Sequence, residues 1–265
     1  MAQYDRYARP AGTAAREVGR IDEGLRSFML GVYNYMAVAV ALSGVVAYVL
    51  YTQMVTTDPA LAAQYASGAA LALKGGMYVT PLGKTILLSP LKWVFALMPR
   101  GFVLFLSFAR TSAATAQLVF WAFAVAMGIS LSSIFVVFKL GSIAQMFFIT
   151  SAAFAGLSLY GYTTKKDLSA WGSFLIMGVV GILIASIVNI FLASSALQFA
   201  ISVLGLLAFA GLTAYDTQRL KDEYVMVAGD GEAMKRASIF GALSLYLDFV
   251  NMFQFMLALF GSQNE

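Results

Sequence analysis

Between Asp167 and Asp216 the chain runs for 48 residues without one charged side chain. About 20 apolar residues in a helix cross the hydrocarbon of a bilayer, so this stretch holds two crossings and is too long for one. The rest of the chain follows the same pattern. Of its residues, 60% are hydrophobic and only 11% are Asp, Glu, Lys or Arg, against about 25% charged in an ordinary soluble domain. Mean hydropathy is +0.80. Too little charge remains to coat a water-facing surface, and the fold class expected is an all-α membrane protein.

The charged residues mark where the spans end. The uncharged run Ser27–Thr57 supplies a first span, Phe28–Tyr51. It follows a 27-residue polar tail and is too long for the apolar part of a signal peptide, so it reads as a retained helix. A second span is expected at Leu91–Ala109, interrupted by Pro99 and Arg100. The third lies between Arg110 and Lys139, the fourth between Lys139 and Lys165. Ala193-Ser194-Ser195 is the natural break in the long uncharged run. It gives a fifth span near Leu168–Leu192 and a sixth near Leu197–Arg219. The seventh, about Ala237–Phe260, contains Asp248. The expectation is a mobile cytoplasmic tail over 1–27 and a seven-helix transmembrane domain over 28–265. Six spans is the alternative, if the Asp248 segment only re-enters. The segment Thr52–Pro90 receives no role.

Orientation follows from the distribution of Lys and Arg, which favour the inner face. With the N-terminus inside, twelve of them fall on that side: Arg6, Arg9, Arg16, Arg20, Arg26, Arg110, Lys165, Lys166, Arg219, Lys221, Lys235 and Arg236. The outer side keeps four, Lys74, Lys84, Lys92 and Lys139. The small-xxx-small pairs Gly128/Ser132, Gly181/Ala185 and Ala210/Ala214 allow close helix approach. Trp93 and Trp171 sit at span ends, where amphipathic rings are favoured.

The chain has neither His nor Cys. His-containing zinc sites, Ser–His nucleophiles, thiolate chemistry and disulfides are therefore excluded. Gly83-Lys84-Thr85 ends like a phosphate-binding loop, but the spacing needs Gly where Tyr78 stands. A retinal protein needs a Lys within its last helix, and none follows Lys235. No cofactor and no enzymatic role are expected, although two Asp in or near helices keep a two-Asp intramembrane protease as an alternative.

Those two Asp carry the chemical information. Asp248 lies midway along its span, where a charge costs roughly 2.5–3.5 kcal/mol on insertion scales and such residues face a cavity or a partner. Ser244, Asp248 and Asn251 share one helix face through their i, i+4, i+7 spacing. That polar stripe reads either as a structural hydrogen-bond cluster or as an ion or proton site. Asp216 follows a long apolar run, one turn before Arg219, and taken alone it reads as a boundary residue solvated at the inner surface. Spacing alone leaves its depth uncertain by a turn or two relative to Asp248.

Ala214-Tyr215-Asp216-Thr217-Gln218 and the run Ser244-Leu245-Tyr246-Leu247-Asp248-Phe249-Val250-Asn251 resemble the two signatures of the Bax inhibitor-1 family. Lys165-Lys166-Asp167-Leu168 and Asn189-Ile190-Phe191 are similar to that family's middle region. The resemblance covers roughly Phe28 to Phe260. It implies a seven-helix bundle with its last helix near the centre, acting as a pH-sensitive calcium leak. Asp216 and Asp248 map onto the gating pair, and Arg110 onto an arginine that can pair with them. As a metal site the two Asp would hold calcium weakly, with Ser244 and Asn251 as supporting oxygens. Calcium and membrane lipid are the implied partners. Bacterial members also imply an alternative: a non-channel regulator bound to a membrane-bound ATP-dependent protease, in the inner membrane. Two carboxyls forced together in a dry interior share one proton, and this is the expected pH sensor.

Overall fold

The structure is a computed structural model that describes residues 11–64, 69–73, 76–90 and 112–264, with side chains from Glu23 onward. Where water is absent, backbone polar groups must bond within their own segment, and apolar runs of this length resolve as helices. Those described are α1 (Ala11–Met54), the short α2 (Pro81–Leu87), α3 (Ala113–Val137), α4 (Leu140–Thr163), α5 (Ser169–Leu192), α6 (Ser195–Val227) and α7 (Gly231–Phe260). All except α2 are long and apolar enough to cross a membrane. Among the described residues there are thus six such helices, and the span expected at Leu91–Ala109 lies outside them. Helix α1 passes through the expected boundary at Phe28 without a break.

The 48-residue run breaks where its small polar residues stand. Ala193 closes α5 in the left-handed conformation at φ 48°. Asn189 Oδ1 accepts from Ser194 N at 3.0 Å, and Ser194 Oγ caps α6 by accepting from Leu197 N at 3.3 Å. Orphan donors at the turn are satisfied locally, which a turn near the edge of the bilayer requires.

Helix α7 packs against α1, α3, α4 and α6, whereas α5 leans chiefly on α6. Half of the most apolar stretch of α7 (50%) is buried, against 11% for α5, so α7 is the interior helix and α5 the lipid-facing one. One polar node ties three helices together. Tyr246 Oη on α7 shares a hydrogen bond with Ser43 Oγ on α1 at 2.7 Å, and Ser43 Oγ also lies 2.7 Å from the Ala124 carbonyl of α3. The Tyr246 ring meets Phe123 edge-on at 5.2 Å. In lipid, such packing and shared hydroxyls hold helices together.

The segment after α1 is a small folded cap. Strands β1 (Val55–Thr56) and β2 (Tyr78–Val79) pair antiparallel, and Ala63, Leu71 and Val79 bury one another. Gly83 in α2 sits so close to the Met54 carbonyl that a Cβ would overlap it, and Lys84 Nζ donates to the Gln64 carbonyl at 2.8 Å. Gly83-Lys84-Thr85 is therefore a packing element of the cap. At the same end of the bundle, Lys139 N donates to Ser262 O and Asn264 N to Val137 O, both at 2.9 Å. The opposite end carries the α4–α5 and α6–α7 turns.

The small-residue pairs do not all act alike. A Cβ on Gly128 would lie 2.7 Å from the Ser43 carbonyl, so α1 and α3 touch there, and Gly161 meets the Ala214 backbone in the same way. Nothing lies within 4 Å of Gly181, so that glycine supports no helix contact. Gly128→Ala should lower stability by about 1–3 kcal/mol through overpacking. Gly181→Ala should raise it by up to about 1 kcal/mol through helix propensity. Thermal unfolding in detergent measures both, and equal shifts of the same sign would contradict this packing.

Candidate functional site

Helices α6 and α7 form a hairpin. Gly229 takes φ 108° in the turn, and Asp230 Oδ1 caps α7 by accepting from Glu232 N and Ala233 N at 2.9 and 3.0 Å. The two helices are offset along their axes, and two contacts set the register. Toward the turn, the Arg219 guanidinium donates to Ser244 Oγ at 3.1 Å. Deeper in the bundle, Thr213 Oγ1, which donates to the Phe209 carbonyl of its own helix at 2.9 Å, lies 3.4 Å from Met252 Sδ. Asp216 is the midpoint of 213 and 219, and Asp248 the midpoint of 244 and 252. The two acids therefore lie at one depth on facing helices, which spacing along the chain could not decide.

Both are buried, Asp216 at 8% exposure and Asp248 at 4%. Asp216 is therefore not the solvated boundary residue that its place at the end of an apolar run suggests: the α6 helix continues past it to Val227 and α7 covers it. Asp216 Oδ1 lies 3.4 Å from the Arg219 guanidinium, one turn along its own helix. Asp248 is different. Its Oδ2 is fully buried with no hydrogen-bond partner, and among the described residues only Thr150 Oγ1 shares that condition. The charges of Asp216 and Arg219 both act on the Asp248 carboxyl.

Arg110 lies outside the described residues. The cation that the structure brings to the acids is Arg219, which bridges Asp216 and Ser244. Ser244 thus joins the site, whereas Asn251 Nδ2 donates to the Leu247 carbonyl of its own helix at 2.8 Å. The stripe Ser244, Asp248, Asn251 therefore splits, with only its first two residues turned to the acids' charges. A further carboxylate feels the same group: Asp216 and Arg219 both act on Glu223. Asp216, Arg219 and Glu223, at i, i+3 and i+7, make a ladder of alternating charge down one face of α6. That spacing is readable in the sequence and was the available signal. Among the described residues no three His, Cys, Asp or Glu side chains converge to hold a metal ion.

The neighbours of Asp216 fix its direction. Thr217 Oγ1 donates to the Thr213 carbonyl and shares a 2.9 Å hydrogen bond with Ser158 Oγ of α4, which meets Tyr33 Oη of α1 at 2.5 Å. Gln218 clamps the α4–α5 turn, accepting from Leu168 N and donating to Lys166 O, both at 2.8 Å. In that turn the Asp167 carboxyl accepts from Ser169, which holds it below the usual carboxylate range. With Thr217 tied to α4 and Gln218 to the turn, Asp216 is left toward α7. Each residue of Asp216-Thr217-Gln218 has its own partner.

Residues 25–265 match the family described as inhibitor of apoptosis-promoting Bax1. The chain belongs to the Bax inhibitor-1 family. A Caulobacter vibrioides protein, named as uncharacterized, is 45% identical over 100% of both chains. A Rickettsia prowazekii protein, RP147, is 40% identical over 92% of this chain and 93% of its own. The inner membrane protein YbhL of Escherichia coli K12 is 36% identical over 91% of this chain and 93% of its own. For this Bax inhibitor-1 protein the acids carry a stability cost: an unpartnered buried polar oxygen costs about 1–3 kcal/mol. Asp248→Leu should accordingly raise the unfolding temperature in detergent. A fall would mean that the carboxyl holds the bundle together.

Proposed function

We propose that this protein is a pH-sensitive cation leak in an inner membrane, conducting calcium past Asp216 and Asp248. The observation that carries the reading is the unpartnered Oδ2 of Asp248, buried at the depth of a second acid in a transmembrane bundle. Intramembrane acids at such positions mark ion or proton paths. Arg219 can balance one carboxylate, and its 3.4 Å contact assigns it to Asp216. Among the described residues no second cation pairs with the other carboxyl, and in an interior that penalises bare charge it then holds a proton, a cation or a partner such as Arg110. When the proton leaves, the Asp248 carboxylate repels Asp216 and draws in a cation, loosening α7 against α6.

Calcium takes six to eight oxygen ligands. Two carboxylates and Ser244 with water supply a loose set, and looseness suits conduction, because an ion must also leave. The inner membrane is proposed from the name of YbhL, with the N-terminus cytoplasmic from the excess of Lys and Arg on that side.

Calcium flux into liposomes holding the purified protein should rise with pH as Asp248 loses its proton. Asp216→Asn and Asp248→Asn should each abolish that dependence. Wild-type flux and pH response in both variants would overturn the reading. An absence of flux from the purified wild type would favour a regulator of a membrane-bound protease instead. Orientation is testable on the Cys-free background: in intact cells an impermeant maleimide should label Lys139→Cys and spare Lys166→Cys, and the reverse pattern would invert the topology.

A further inference from the structure

A groove of about 730 Å³ runs between α1 and α4 with Phe249 of α7 among its lining residues. On α1 its lining extends from Arg26 to Ala41, about 22 Å of helix, more than the ~15 Å of one leaflet's hydrocarbon. Its walls are mostly apolar, with Met29, Phe147 and Phe154 among them. The hydroxyls inside it already have partners: Tyr33 and Ser158 bond each other, and Ser151 Oγ donates to the Phe147 carbonyl. Arg26, at the charged end, has no carboxylate partner among the described residues. A second cation stands beside that end: Lys221 Nζ donates to the Tyr162 carbonyl and lies 5.3 Å from the centroid of the Tyr162 ring, and Tyr162 also lines the groove.

An apolar trough as deep as a leaflet, with cations at one end that no described carboxylate pairs, complements one molecule of the surrounding solvent. We infer that the groove binds an anionic glycerophospholipid, with an acyl chain along α1 and α4 and the headgroup phosphate on Arg26 near Lys221. A guanidinium pairs with phosphate through charge-assisted hydrogen bonds, and a basic pocket between helices is the form such headgroup sites take. The chain buries apolar surface that would otherwise leave the trough as a void. This inference stands apart from conduction and requires no movement of α7.

Native mass spectrometry of the full chain in detergent tests it, with phosphatidylglycerol and phosphatidylcholine of identical acyl chains as probes. Wild type should bind phosphatidylglycerol roughly tenfold more tightly, as one charge-assisted contact provides. Arg26→Gln should reduce that preference while leaving phosphatidylcholine unchanged. Ala155→Trp, at an exposed position on the α4 wall, should fill the trough and weaken both lipids. Equal affinities in the wild type, or binding unaffected by either substitution, would overturn the assignment. Thermal unfolding of both variants at the wild-type temperature shows that the fold is intact.

Discussion

The balance of charge at one depth of the bundle governs the rest of the structure. Two acids lie at that depth on adjacent helices, and among the described residues one guanidinium reaches one of them. A carboxylate in such a medium is stable only when neutralised, so the surroundings of Asp248 must be protein on all sides rather than lipid. This is consistent with the placement of α7, with four long helices packed around it. It also fits the need for Gly161, whose missing side chain lets α4 approach the backbone of α6 beside Asp216.

Much of this was legible in the chain itself. Charge is expelled from hydrocarbon at a cost of kilocalories, so gaps between charges locate spans well, and Ala193-Ser194-Ser195 marks the α5–α6 break. The helices run beyond those spans at the charged end, because a helix can continue into water once begun. Other features were not legible. Asp216 reads in sequence as a boundary residue with Arg219 one turn on, and only the hairpin offset brings that pair to the depth of Asp248 and the Arg219 side chain to Ser244. The cap after α1 uses strands of two residues, too short for periodicity to register. Gly181 looks like Gly128 in sequence, yet one faces open space and the other a carbonyl.

The groove and the acids are separate in chemistry but adjacent in structure. Ser158 lines the groove and also bonds Thr217, the residue after Asp216. The hydroxyl chain from Tyr33 through Ser158 to Thr217 therefore fixes the rotation of α6 on the side away from α7. Positions that look interchangeable in composition, three consecutive polar residues on one helix, hold three different neighbours.

The location of α7 has a consequence for biogenesis. The helix around which the others gather is the last of those described to leave the ribosome. Until it is made, the inward faces of its predecessors lack the helix they pack against. The contacts of α7 with α1, α3, α4 and α6 can form only once it has been made, and Asp248 comes to the depth of Asp216 no earlier.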